Sequence, residues 1–404
     1  MLLISRKKIS IKKNCYKCGG QVKKKDVERK LILSMLGSTI YYRGRYICQK
    51  CGETYYYTDE KFGLSRSKAS KRLAKSITGL AVFMPFAEVK KQLFNLLNIK
   101  VSATFIEQIT VRIGEKLWSD AEKKSNHPYR ITNKEKNVET LYVEADGSMV
   151  PLIGESGIEY RENKLGIVFN DRDITQKMKK NGKIERKIIR KKVVSSLADG
   201  VSNFKKMLFA AAVEKGYYSA KTVVFLSDGA SWLAKCKDEY FPKAIRILDW
   251  YHAIEHLWNT AYQLFGDQNK EACMSWVNPL KGLLWDGKVG EVISILNTEI
   301  LSGRVKQQPL IELRGYYVSN QDAMKYDEYR NNGWCIGSGS IESANKYIVS
   351  QRLKQSGMKW VKGNANSMIW ARGKYFENCW DDFWKSMELS EYLDKKSLPG
   401  RKAA

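Results

Sequence analysis

Val223-Val224-Phe225-Leu226, then residues 231–240, then Ile245-Arg246-Ile247-Leu248 decide how this chain folds. The first and last stretches are short unbroken apolar runs, as expected of strands covered on both faces. The segment between them reads as a helix. Upstream, residues 141–153 and 165–170 read as strands, Val193-Val194 follows a very basic run, and 203–215 reads as a helix. Strands first, then strand–helix–strand, predict a mixed α/β sheet. Downstream, residues 253–329 read almost entirely as helix. A last helical block starts near Ser340 and runs with interruptions to the C-terminus.

The N-terminal stretch is different. Cys15-Tyr16-Lys17-Cys18-Gly19 and Cys48-Gln49-Lys50-Cys51-Gly52 are two knuckles, each with two thiols on one tight turn followed by a glycine. The glycine lets the turn bend so that amides approach the sulfurs. Two such turns complete a tetrahedral four-thiolate shell, so Cys15, Cys18, Cys48 and Cys51 are predicted to hold a structural Zn²⁺. Apolar stretches at 31–33 and 40–42 supply the ribbon strands between them. The other cysteines, Cys236, Cys273, Cys335 and Cys379, stand singly.

Residues 61–125 read as helical. Val89, Leu93, Leu96 and Leu97, then Phe105, Ile109, Ile113 and Leu117, recur at helical spacing. Between them lies Asn98-Ile99-Lys100-Val101-Ser102, with Ser102 placed to cap the second helix. Two helices and a tight turn on a basic chain fit a DNA-binding helix-turn-helix, and equally an ordinary helical hairpin. The polar stretch 125–137 reads as a linker.

Lys+Arg 70 against Asp+Glu 43 give a net charge of +27. Such an excess favours a polyanionic partner, through phosphate neutralisation and counterion release. No apolar run reaches the roughly 18 residues of a membrane span. A basic N-terminus with no apolar core before Cys15 reads as cytoplasmic rather than exported.

Three acids carry the chemical expectation. Asp146 follows a strand in Leu141-Tyr142-Val143-Glu144-Ala145-Asp146-Gly147. Asp228 follows another in Phe225-Leu226-Ser227-Asp228-Gly229-Ala230. Glu342 opens a helix in Gly337-Ser338-Gly339-Ser340-Ile341-Glu342. Each has a plainer reading alone: Asp-Gly as a hairpin turn, Asp228 in a strand-to-helix loop, Glu342 as a first-turn acid facing the helix dipole. Together they have the make-up of a carboxylate cage for two divalent cations, as phosphodiester chemistry needs. Glu144 shares the strand face of Asp146, so either fits the first position.

The order of these segments resembles the DDE transposases of bacterial insertion sequences. It runs from Asp-Gly on a first strand through Ser-Asp-Gly-Ala, Leu248-Asp249-Trp250-Tyr251-His252 and Ile336-Gly337-Ser338-Gly339-Ser340-Ile341-Glu342-Ser343-Ala344-Asn345-Lys346. Among these it is most similar to the ISKra group, related to Mutator-like elements. Residues 351–360, Gln-Arg-Leu-Lys-Gln-Ser-Gly-Met-Lys-Trp, continue the likeness, which spans about 85 to 375. The resemblance implies an RNase H-like core with a helical insertion between the second Asp and the Glu. It implies Asp146, Asp228 and Glu342 as ligands of two Mg²⁺ (or Mn²⁺) ions. It places the family's Asp-x-x-His signature on Asp249 and His252, a catalytic-core pair. From the residues alone, Asp249 is expected to orient the His252 imidazole. A capping or core histidine is the other reading, and His256 sits one turn on.

The implied activity is cleavage at transposon ends followed by strand transfer into target DNA. An RNase H-like nuclease or resolvase without strand transfer, and a non-catalytic DNA-binding derivative, are the alternatives. The implied partners are double-stranded DNA, as terminal inverted repeats and target, and a second copy of the chain or a higher oligomer. The expected organisation is a zinc ribbon (1–60), a helical DNA-binding region (61–125), the first part of an RNase H-like core (138–252), a helical insertion (253–330) and a C-terminal helical part with tail (331–404). For holding DNA, the basic run 177–192 reads as a hairpin of cations or a solvated charged face. It includes Lys179, Lys180, Lys183, Arg186, Lys187, Arg190, Lys191 and Lys192. Arg352, Lys354 and Lys359 are expected to grip phosphates near the metals, with Trp360 stacking on a base or packed inside.

Overall fold

The computed structural model describes residues 11–61, 68–132, 135–178, 184–197, 200–303 and 306–387. Lys179, Lys180 and Lys183 of the basic run, and the tail beyond 387, lie outside the described residues. The chain divides into two units: Met1–Asp120 with Gly363–Tyr375 and Cys379–Ala404, and Ala121–Lys362 with Phe376–Asn378.

In the first unit, strands β1 (Val22–Ser34) and β2 (Gly37–Cys48) form an antiparallel hairpin, and β3 (Thr54–Tyr55) adds to β2. Both strands are much longer than the apolar triplets that announce them, because alternate positions face water and carry charge. Helix α1 (Tyr57–Lys61) follows. Then come α2 (Lys71–Ala81), α3 (Phe86–Leu97) and α4 (Ala103–Asn126). The Ser70 side chain caps α2 by accepting from Leu73 N. Asn98 ends α3 in the left-handed region (φ 51°), and Ser102 caps α4 by accepting from Phe105 N at 3.1 Å. Leu73, Ile77, Val89, Leu93, Ile106, Ile109 and Ile113 form one core; Leu96 and Leu97 are exposed.

The second unit is built on a five-stranded mixed sheet. Strands β4 (Thr140–Gly154) and β5 (Gly157–Asn170) form a long hairpin. A small hairpin, β6 (Ile174–Met178) and β7 (Ile184–Ile188), precedes β8 (Lys192–Leu197). Then follow α5 (Val201–Glu214), β9 (Thr222–Ser227), α6 (Ser231–Tyr240) and β10 (Ile245–Leu248). The sheet order is β10-β9-β4-β5-β8. β10, β9 and β4 run parallel; β5 is antiparallel to β4 and β8 to β5. Its core is the apolar runs read from sequence, with Val143, Ile167, Phe169, Val224, Leu226 and Ile247 buried. Gly166 lets α5 lie close: a Cβ there would stand 2.6 Å from Leu208 Cδ1.

The helical block comprises α7 (Trp250–Phe265), α8 (Lys270–Trp285), α9 (Val289–Ser302), α10 (Gln307–Asn320) and α11 (Tyr326–Asn331). The chain returns to the sheet through α12 (Gly339–Ala344), a π-helical stretch Asn345–Ser350 and α13 (Gln351–Leu353). Helices α14 (Lys362–Phe376) and α15 (Trp380–Ser386) close the described chain. In the first unit Gly114 permits a tight crossing, since a Cβ there would lie 1.9 Å from Ser367 O. Among the described residues no helix is long and apolar enough to cross a membrane.

Candidate metal centres

The four knuckle cysteines converge, with all four sulfurs within 4.8 Å of one another. Cys15 Sγ lies 3.6 Å from Cys51 Sγ, and Cys18 Sγ lies 3.5 Å from Cys48 Sγ. Gly19 and Gly52 take positive φ (72° and 71°), and their amides close the turns on Cys15 O and Cys48 O. Burial disfavours a Cys15 thiolate. Hydrogen bonds from Tyr55 and from the knuckle amides of Lys17 and Cys18 outweigh it and bring the thiol down to about 6. Four thiols at tetrahedral spacing, one already favouring its thiolate, fit Zn²⁺ with no open position.

A second centre lies in the other unit, at the carboxyl ends of the parallel strands. The β4–β9 register ends at Glu144↔Leu226, and the β10–β9 register ends at Leu248↔Ser227. Continued past those ends, the first register sets Asp146 across from Asp228, and the second sets Asp249 beside it. Open parallel sheets place their crevices at these carboxyl ends. Asp146-Gly147 is not a turn: it sits inside β4, and the hairpin turns later, around residues 155–156. The Asp-Gly pair does not end the strand; the pairing with β9 stops just before it, at Glu144↔Leu226.

Each acid is held by a different device. Asp146 accepts from Gly147 N and from Asn345 Nδ2, both at 2.6 Å. Burial raises its pKa and the Asp228 charge adds to that, while Gly147, Asn345 and His252 oppose it. Asp228 turns the chain by accepting from Ala230 N at 2.9 Å, and its carbonyl accepts from Tyr316 Oη at 3.0 Å. Gly229 needs its positive φ (93°) beneath that tyrosine, where a Cβ would meet the ring at 3.1 Å. Thus α10 in the helical block touches the Asp228 loop. His256 stacks on Tyr316, 4.0 Å between ring centres, and burial followed by the nearby His252 lowers its pKa.

Asp249 is fully buried and caps α7, accepting from His252 N at 2.7 Å and from Ser338 N. The His252 imidazole pairs instead with Glu255 at 3.4 Å. Asp249 therefore fixes the main chain around His252, where orientation of the ring was expected. The N-cap geometry aims the carboxylate at the amides of the first turn, with donor atoms of Asp249 and His252 within 4.8 Å of each other. The Ser338 bond brings the loop before α12 alongside, and α12 carries exposed Glu342, whose carboxylate accepts from Ser338 Oγ at 3.2 Å.

Glu144, whose role sequence left open, is the anchor of that helix. Its buried carboxylate accepts from Ser340 Oγ and from Ile341 N at 3.1 Å. Burial pushes it up to about 7, against those hydrogen bonds and the Lys191 charge. Asn345, one turn past Glu342, ties the same helix to Asp146, and its carbonyl accepts from Ser148 Oγ at 3.1 Å. The π-helical stretch begins at this residue, and such widenings recur at functional sites.

Asp249, His252 and Glu342 are the trio whose donor atoms close to within 4.8 Å; the expected trio of Asp146, Asp228 and Glu342 does not close so far. Asp146 and Asp228 repel each other, and hydrogen bonds with main chain and Asn345 hold them back. Carboxylate oxygens with one imidazole suit a hard or borderline divalent cation such as Mg²⁺ or Mn²⁺. Five carboxyl groups gathered on a chain of net charge +27 make this an electrostatically unusual place.

The residues expected to grip DNA divide. Arg352 and Trp360 are buried against each other, the guanidinium carbon 4.9 Å from the ring centre, and burial brings the arginine down to about 10. Arg352 therefore presents no face to a phosphate, against the expectation for it, and Trp360 takes the packed-inside alternative. Nothing in the sequence marks their partner, because Arg352 also bonds Met358 Sδ through a local turn. Lys354 and Lys359 are exposed. In the basic run, β6–β7 is indeed a hairpin. Arg186 bonds Gly333 O, Arg190 pairs with Asp173 and Lys192 with Glu214. Among the described residues of the run, these three cations are engaged internally.

Comparison with known proteins gives one family. Residues 4–265 match the family described as "Uncharacterised protein family (UPF0236)", a stretch that takes in Asp146, Asp228, Asp249 and His252 but not Glu342. No curated protein matches. Among solved structures, a Drosophila P element transposase strand transfer complex aligns at 11% identity, over 84% of this chain and 86% of that one, with a TM-score of 0.27. A likeness that slight bears on neither fold nor chemistry.

Proposed function

We propose that the chain, which belongs to the uncharacterised protein family UPF0236, is a metal-dependent DNA transposase that cuts at element ends and joins them to target DNA. The observation that supports this reading is that Asp146, Asp228 and Asp249 lie just past the paired ends of neighbouring parallel strands, while donor atoms of Asp249, His252 and Glu342 close to within 4.8 Å. The mixed sheet, an antiparallel meander extended by two parallel strands, supports reading the core as RNase H-like with α7–α11 as its helical insertion.

In this reading Asp146, Asp228 and Glu342 hold divalent cations, with Asp249 and His252 beside them. Bound cations would supply activation of water or a 3′-hydroxyl and neutralise charge on the leaving oxygen. The protein's own residues do the rest. Glu144 and Asn345 fix the helix bearing Glu342 on β4. Tyr316 fixes the Asp228 loop. Lys354 and Lys359 offer exposed cations to phosphates, and the net charge draws DNA in. The ribbon holds Zn²⁺, and with α2–α4 it serves as the DNA-reading end.

The test is an assay with pre-cut element ends, a target plasmid and Mg²⁺ or Mn²⁺. Joined products support transposition. Cleavage without joining supports a nuclease or resolvase. Binding with neither reaction in the wild-type chain would leave a DNA-binding derivative.

A further inference from the structure

Past the sheet, β4 and β5 continue as a two-stranded arm. β9 leaves β4 after Glu144, and β8 meets β5 only from Asn163 onward. Among the described residues, then, no strand of another element pairs with 147–162, although Ile153 N reaches Trp360 O at 2.8 Å. The arm has two faces, because side chains alternate. One buries Val150 and Leu152 and carries the Arg161–Glu159 pair at its outer strand. The other is bare. Met149 is 47% exposed, Ile153 48%, Ile158 50% and Tyr160 67%. The registers Met149↔Glu162, Pro151↔Tyr160 and Ile153↔Ile158 put these residues on one surface with Pro151 and with Glu162, which pairs with Lys164 along the same strand.

The arm is also poor in free cations. Between 147 and 164 it carries Glu155, Glu159 and Glu162 against Arg161 and Lys164. Arg161 pairs with Glu159 at 2.6 Å and Lys164 with Glu162 at 2.5 Å. Both cations of the arm are thus already paired. Two copies, each at +27, repel one another through most of their surfaces, and least where cations are missing or already paired. An apolar, nearly neutral face can pack on its own image about a two-fold axis.

We propose that the outer face of the β4–β5 arm is where two copies of this chain meet. The inference does not depend on the chemistry at the carboxylate centre and needs no DNA.

Sedimentation equilibrium of the full chain at high salt, where charge repulsion is screened, tests it. The wild type is expected to self-associate to a dimer. Ile158→Ser with Tyr160→Ser is expected to weaken that association about tenfold or more, and so is Met149→Ser with Pro151→Ser. Leu301→Ser, a change at an exposed leucine of α9, is expected to leave it unchanged. Thermal melts of each variant report folding independently. A wild type that stays monomeric at tens of micromolar overturns the proposal, as does a dimer that survives both arm variants. Equal weakening by Leu301→Ser would mark the association as nonspecific and also overturn it. Loss of DNA affinity in the arm variants with unchanged mass would make the arm a DNA surface instead.

Discussion

The side-chain amide of Asn345 donates to the Asp146 carboxylate at 2.6 Å, tying the helix that carries Glu342 to the strand that carries Asp146. Its carbonyl accepts from Ser148, so the amide orientation is fixed from both ends. Replacing Asn345 with Ala removes both bonds and leaves Asp146 with its Gly147 amide alone. Outer hydrogen bonds to ligating carboxylates typically govern affinity or activity by about 10- to 100-fold. Asn345→Ala is expected to lower divalent-cation affinity by that order with little change in melting temperature. Titration with Mn²⁺ beside a thermal melt reads both; an unchanged affinity would dissociate Asn345 from the site.

Glu144 holds the other end of the same helix. Glu144→Ala leaves the buried Ile341 amide without its acceptor, a cost of about 1–3 kcal/mol. Glu144→Gln keeps the shape and one acceptor oxygen and is expected to recover most of that stability. Chemical denaturation of the two variants makes the comparison. Equal losses from both would mean that the charge matters, not the hydrogen bond.

The ribbon predicts a zinc stoichiometry of one per chain. Elemental analysis is expected to find it, and Cys15→Ser or Cys48→Ser to lose it. Small zinc domains unfold without metal, so chelation is expected to expose β1 and β2 to hydrogen exchange. The β4 and β9 amides are expected to keep their protection. Retained protection across β1 and β2 after zinc removal would contradict a structural role.

Acid stability has a specific source in Glu214. Burial opposes its ionisation, but Lys192 and Lys124 outweigh burial and hold it at about 2, against an ordinary 4.5. A carboxyl depressed in the folded state lends stability that is full above about pH 4.5 and is lost as pH falls toward 2. The contribution is on the order of 2 kcal/mol after allowance for partial solvation. Glu214→Gln is expected to remove that loss from the stability–pH curve of the second unit. A curve of unchanged steepness over that interval would reject the assignment.

Much of this was legible in residue order. The bounds of α6 and β10 coincide with those read from sequence: β10 is a short apolar run with one use in a sheet, and α6 fills the stretch between two such runs, burying Leu233 and Cys236. The cysteine knuckles were equally readable, since their spacing is local. Glu144 was harder: its role depends on Ser340 and Ile341, 196 and 197 residues away. Arg352 misled for a related reason, whereas Trp360 took the packed-inside reading. A basic stretch next to an acid reads as surface, and only the fold reveals that the two side chains cover each other. The place of Tyr316 had no signal at all, being one tyrosine in a helix with no marked apolar face.

The central claim is that carboxylates from separate strands and a distant helix form one cation site. Mn²⁺ binding to the full chain, followed by electron paramagnetic resonance, tests it most directly. Tight binding is expected in the wild type, with a loss of about tenfold or more in each of Asp146→Asn, Asp228→Asn and Glu342→Gln and zinc content unchanged. Wild-type affinity in all three variants would contradict it.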